Sequence, residues 1–112
     1  MDVPADYNSH ICHLMAFLDN EETIDIHQTF TRERLLEVTA NDVTRYLVFR
    51  MYGKPKPGPN DRPTVWRSST TKYATKAISH FMQHYGQSWG EAAQRGNPTR
   101  SDQVIKLLTQ PN

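Results

Sequence analysis

Three residues near the start of the chain, His10, Cys12 and His13, are the soft side chains that could do chemistry or hold a metal. On a helix His10 and His13 share a face and Cys12 points away. Zinc takes four ligands, usually from two separated pairs, and the second pair on offer is His80 and His84, at i and i+4. Nothing in the spacing ties the pairs together, so solvated or partly buried histidines are the expectation, with no metal and no cofactor. Cys12 with a histidine could form a nucleophilic dyad, but Cys12 adjoins an apolar stripe and no local motif surrounds it, which favours a structural thiol. The acids Asp19, Glu21 and Glu22 fall in a polar stretch and read as solvation. There is no glycine-rich phosphate loop followed by lysine and no dinucleotide fingerprint. The residues do not compose an enzyme.

Charge is the stronger signal. The 112 residues are nearly balanced at +1, yet residues 1–31 carry six carboxylates and no lysine or arginine, and all 13 basic residues lie from Arg32 onward against six acids. From Gly53 to the end, nine basic residues meet only Asp61, Glu91 and Asp102. An acidic head on a basic body points to a polyanionic partner. The bland counterpart is a solvated helical face. The single cysteine excludes an internal disulfide framework and fits a reducing compartment. No apolar run approaches the ~20 residues that span a bilayer, and the first residues lack a secretory pattern. The expectation is one domain, intracellular, and nuclear if it binds DNA in a eukaryote.

The elements that must position these charges are helical. Ile11, Leu14, Met15 and Leu18 repeat at helical spacing over residues 8–19, with Asn8 or Ser9 as cap. Residues 20–28 read as loop. Thr31 caps a short turn through Leu36. Thr39 and Asp42 make a weak capping box for a helix that reaches Tyr52 and stops at Gly53. Val43, Leu47 and Met51 share its face, with Tyr46 beside them and Arg50 falling inside the stripe. Residues 53–63 hold four prolines and two glycines, which excludes helix and central strand. The strongest pattern then runs from Ser69 or Thr70 to Tyr85, with Tyr73, Ala74, Ala77, Ile78, Phe81, Met82 and Tyr85 inward, Ser68 and Ser69 as cap, and Gly86 as stop. Opposite them Lys72, Lys76, Ser79 and Gln83 form one narrow polar stripe. After a loop containing Trp89, Thr99 or Ser101 caps a last short helix with Val104, Leu107 and Leu108 inward and Ile105 at its flank. The two tryptophans, Trp66 and Trp89, read as packing anchors. The fold expected is a small all-α bundle of four unequal helices.

These residues resemble a known family. LLEVTANDVTRYL (35–47), Tyr52-Gly53 with the proline-rich loop, RSSTTKYATKAISHFM (67–82), Trp89, and GNPTRS (96–101) followed by Val104 and Leu107 are similar to the core-binding domain of tyrosine recombinases and phage-type integrases, in the eukaryotic Crypton-like flavour. The resemblance covers residues 31–110. It implies a SAM-like, lambda-integrase-like bundle over residues 31–112; the acidic segment over residues 1–30, with the one helix read from its own spacing, stands before that bundle. It also implies a double-stranded DNA partner, in a DNA recombination and integration context. The family's tyrosine nucleophile and its Arg/His pocket belong to a catalytic domain that would lie beyond Asn112, so no strand cleavage is implied here. Tyr46, Tyr52, Tyr73 and Tyr85 are not that nucleophile.

Laid onto this chain, the resemblance puts Arg67 and the Lys72/Lys76 stripe against DNA and Arg100 and Ser101 on phosphate. The charge pattern itself adds Lys54, Lys56 and Arg62 of the basic proline-rich loop, since flexible basic loops are where phosphates are held. Each has a plainer reading: Arg67 pairing with Asp61, Arg100 pairing with Asp102, Ser101 as a helix cap, and Asn97 and Thr99 as turn-makers. In this chain Gln83-His84 stands where the family's helix ends at a proline step, so a longer helix is expected, and the segment before Thr31 matches nothing in the family. Two other classes of function stay open. One is a helical protein-interaction module, docking a recombinase catalytic domain or associating with itself. The other is an inactive remnant of a mobile element.

Overall fold

A computed structural model describes residues 4, 6–54, 56–82 and 86–109. The chain is all-α: α1 Asp6–Leu18, α2 Arg32–Leu36, α3 Ala40–Tyr52, α4 Ser68–His80, a 3-10 turn Pro98–Arg100, and α5 Asp102–Leu108. Among the described residues there is no strand, only an isolated antiparallel bridge between Gly90 and Arg95. The stretch expected as a lone turn, residues 32–36, is a full short helix, so among the described residues five α-helices replace four.

Local chemistry explains most boundaries. In α3 the Thr39 hydroxyl accepts from the Asp42 N–H at 3.2 Å, and the Asp42 carboxylate accepts from the Thr39 N–H at 3.1 Å. This reciprocal pair satisfies two N–H groups that the helix start leaves orphaned. Gly53 ends α3 at φ +75°, a left-handed conformation that costs glycine little. The Ser101 hydroxyl accepts from the Val104 N–H at 3.2 Å and starts α5.

Three boundaries depart from the sequence reading. Helix α1 begins at Asp6, so Asn8 lies inside it and is not its cap. The Asn8 amide instead donates to the carbonyls of Ile26 and Gln28 at 2.7 and 3.0 Å, tying the acidic loop onto the helix. In α4 the cap position is Arg67, without a side-chain cap bond, and Ser68 and Ser69 are the first two helical residues. Helix α4 ends at His80, because the N–H groups of Phe81 and Met82 bond three residues back, to Ile78 and Ser79, at 3.1 Å each. That tighter turn directs Met82 into the core. The expected continuation through Gln83 and Tyr85 lies outside the described residues.

One core joins the elements. Ile11, Leu14 and Met15 of α1 meet Val43, Tyr46, Leu47 and Met51 of α3, Ile78 of α4, and Val104 and Leu107 of α5. Burying each large aliphatic side chain contributes about 1.5–3 kcal/mol. The helix of the acidic N-terminal segment therefore shares this core, packed on both α3 and α4. Tyr73, expected inward, is 39% exposed, and its hydroxyl donates to Asp6 at 2.8 Å. Thr71 and Thr75 are buried instead. Their hydroxyls donate to the carbonyls four residues earlier, at 3.0 and 2.8 Å, so the polar atoms enter the core satisfied.

Candidate nucleic-acid interface

Helix α4 presents the cationic surface. Its inner face is Thr71, Ala74, Thr75, Ala77 and Ile78, all buried. Lys72 and Lys76, one turn apart, are exposed on the opposite side, with exposed Ser69 beside them on the same face and Arg67 exposed at the helix start. The packing of the inner face thus dictates where the lysines point. Ser79 leaves the expected polar stripe. It is half-buried, and its hydroxyl accepts from the Asn97 amide at 2.8 Å. Gln83, the last member, lies outside the described residues.

The described ion pairs are Arg34–Asp19, Arg45–Asp42 and Lys54–Asp61. Among the described residues no carboxylate lies within ion-pair distance of Lys56, Arg62, Arg67, Lys72, Lys76 or Arg100. From Arg62 to Gly90 the sequence has no acidic residue at all. Arg67 therefore does not take up Asp61. Lys54 does, at 2.7 Å. The same carboxylate accepts from the Gly58 N–H, and these two donors hold it below the usual aspartate range. Lys54 is thereby the occupied cation of the proline-rich loop, while Lys56 and Arg62 are exposed along it. The loop returns to α3 where the N–H groups of Thr64 and Val65 donate to the Met51 carbonyl.

The last expected pair separates. Arg100 is exposed at the end of the 3-10 turn, on a segment that packs against α3, α4 and α5. Ser101 is 1% exposed and its hydroxyl is the cap of α5. It is not on the surface that the resemblance implied, because capping draws its side chain inward.

A second group of residues escaped the sequence reading. The Arg50 guanidinium carbon sits 4.6 Å from the centroid of the Trp66 ring, and that of Arg45 sits 5.7 Å from Phe17. Trp66 also meets His10 and Tyr46 edge-on. Arg50 inside an apolar stripe was the sequence signal, since a guanidinium tolerates such a position over an aromatic face. Burial of the Tyr46 side chain pushes its hydroxyl pKa up to about 12.

The soft residues at the start of α1 are spoken for locally. The Cys12 thiol is buried, donates to the Gln28 carbonyl at 3.3 Å, and is raised above its ordinary pKa by burial. The His13 ring bonds the Ser9 carbonyl at 2.7 Å. Among the described residues no three His, Cys, Asp or Glu side chains gather around a common point. His84 lies outside the described residues. No described helix is long and apolar enough to cross a membrane. Comparison with family models, curated proteins and solved structures finds no match to this chain.

Proposed function

We propose that this chain is a DNA-binding module that grips duplex DNA through the outward face of α4, in the manner of the SAM-like core-binding domain its sequence resembles, and that it performs no strand cleavage itself. One observation carries the reading: Arg67, Lys72 and Lys76 stand exposed on one helix and its cap, within a stretch free of carboxylates. Cations held without internal partners gain most from phosphate, which releases condensed counterions on contact. Lys56 and Arg62, in the loop that leads into α4, extend the same charge. Arg100 adds to it only where the 3-10 turn reaches the duplex.

The test is salt-dependent binding to a blunt duplex. Each neutralised phosphate contributes a log–log slope of about −0.9. Changing Lys72 and Lys76 together to alanine should flatten the slope by about two such increments while leaving thermal stability within about 0.5 kcal/mol. Absence of binding at low salt, or an unchanged slope in the double variant, overturns the proposal. A mass that rises with concentration at low salt, without DNA binding, would favour a protein-interaction module.

A further inference from the structure

The chain carries two surfaces of opposite sign that do not meet. Residues 19–29 are exposed throughout, and among them Glu21, Glu22 and Asp25 form no ion pair with a described residue. Ile24 and Ile26, 40% and 45% exposed, stand beside these carboxylates. The loop is held in place. The Asn8 amide donates to the Ile26 and Gln28 carbonyls, the Cys12 thiol to the Gln28 carbonyl, and the His27 N–H to the Asp25 carboxylate at 2.9 Å. The other surface is the outward face of α4. There exposed Arg67, Lys72 and Lys76 have no carboxylate within ion-pair distance among the described residues. Two large apolar side chains lie open beside them: Tyr73 on the helix, and Val65, 60% exposed, two residues before its cap.

Helix α1 keeps the two surfaces apart. Its Tyr7 and His10 pack edge-on against the Tyr73 ring of α4, whereas its Asn8 and Cys12 bond the loop. At 3.6 residues per turn these two sets point about 150° apart around α1. Lys72 and Lys76 in turn face away from the buried side of α4. The acidic loop and the lysines therefore occupy opposite flanks, and neither neutralises the other within one chain.

We infer that the acidic loop of one copy docks on the outward face of α4 of a second copy, its carboxylates against Arg67, Lys72 and Lys76 and its isoleucines against Val65 and Tyr73. Self-association then occupies the surface proposed for DNA. The competition with DNA rests on that reading; the docking does not. Charge complementarity selects the occupant. An unrelated acidic protein would answer α4 and leave the loop uncompensated, and a basic one would do the reverse. A second copy answers both faces and brings matching apolar residues to each. The patches are small, so the contact belongs with weak interfaces of under about 1,200 Å², and salt screens its exposed charges. Because the two surfaces lie on opposite flanks, the contact is head-to-tail. One end of every assembly keeps a free loop and the other a free helix face, so growth does not close at a dimer.

Sedimentation equilibrium at low salt reads the assembly. The mass should rise with concentration past the dimer and return to the monomer in about 0.5 M salt. The loop variant Glu21→Gln/Glu22→Gln/Asp25→Asn should stay monomeric, and so should Lys72→Ala/Lys76→Ala; circular dichroism checks that both keep their helices. Each variant retains the surface that the other lacks, so mixing the two should give a 1:1 dimer that grows no further. A short duplex in excess should dissolve the wild-type assembly, and the loop variant should bind that duplex with the wild-type salt slope. A wild type that is monomeric at low salt, a mass that saturates at the dimer, a loop variant that still associates, or a mixture of folded variants that stays monomeric overturns the inference and leaves the DNA reading standing on its own binding data. Duplex bound while the assembly persists overturns the shared face. Duplex bound by neither the wild type nor the loop variant, with the mixture still dimeric, overturns the DNA reading and leaves the docking standing.

Discussion

The Asn97 amide donates to the Ser79 hydroxyl at 2.8 Å, joining the last turn of α4 to the 3-10 turn across 18 residues. Asn97 is fully buried. Its carbonyl oxygen accepts from both the N–H and the hydroxyl of Thr99, at 3.1 and 2.7 Å. One side chain therefore caps the 3-10 turn and fastens it to the helix that bears the cationic face. Asn97→Ala strands the Thr99 hydroxyl and removes the tie, and should cost about 2–4 kcal/mol in urea unfolding. Ser79→Ala, which removes the acceptor alone, should cost about 1 kcal/mol. A loss below 1 kcal/mol for Asn97→Ala would show that the junction is held otherwise.

Gly96 precedes that junction at φ +110°, and a Cβ there would strike the carbonyl oxygen of Ser88. Gly96→Ala should destabilise by more than about 3 kcal/mol, since both the backbone conformation and the close approach oppose it. Gly86→Ala, where a Cβ meets open space, is the control and should stay within about 0.5 kcal/mol. Thermal melts of the two variants should differ widely, and similar melts would refute the assignment of Gly96.

His10 packs edge-on against Trp66 and Tyr73. Burial lowers its pKa from 6.5; His13 and Arg50 act in the same direction, and Asp6 opposes them. The folded chain thus releases a proton there more readily than the unfolded chain. Stability from this group is complete above about pH 6.5 and declines as pH falls through that unfolded value toward the folded one. The urea midpoint should drop between neutral and mildly acidic pH, and His10→Gln should lessen the drop. An identical slope in the variant would place its source elsewhere.

Tyr46 buries a hydroxyl with no partner. Tyr46→Phe removes that unpaired donor and keeps the ring contacts with Phe17 and Trp66, and should raise stability by about 1 kcal/mol. Tyr46→Ala removes the ring as well and should cost about 3–5 kcal/mol. Destabilisation by Tyr46→Phe would mean that the hydroxyl is satisfied in solution.

Much of the framework was legible in the residues alone. The all-α character, the Thr39/Asp42 box, the Gly53 stop and the Ser101 cap are decided within a few residues, because capping and helical periodicity depend on neighbours along the chain. Helix ends governed by competing local bonds were less legible. Nothing in the repeat of apolar positions announces that Phe81 and Met82 turn tightly at the end of α4, or that Asn8 spends its amide on carbonyls 18 and 20 residues away.

Sequence by itself determined the signs and the periods: which half is acidic, which run lacks carboxylates, which residues repeat every turn. Only the tertiary structure decided which polar groups meet. Tyr73 reaches Asp6 across 67 residues, Lys54 rather than Arg67 holds Asp61, and Arg50 finds Trp66. These pairings follow from how α1 packs between its neighbours and how the proline-rich loop folds back on α3. Periodicity states which face of a helix turns inward, but the partner waiting on that face is set by the packing of elements distant in the chain.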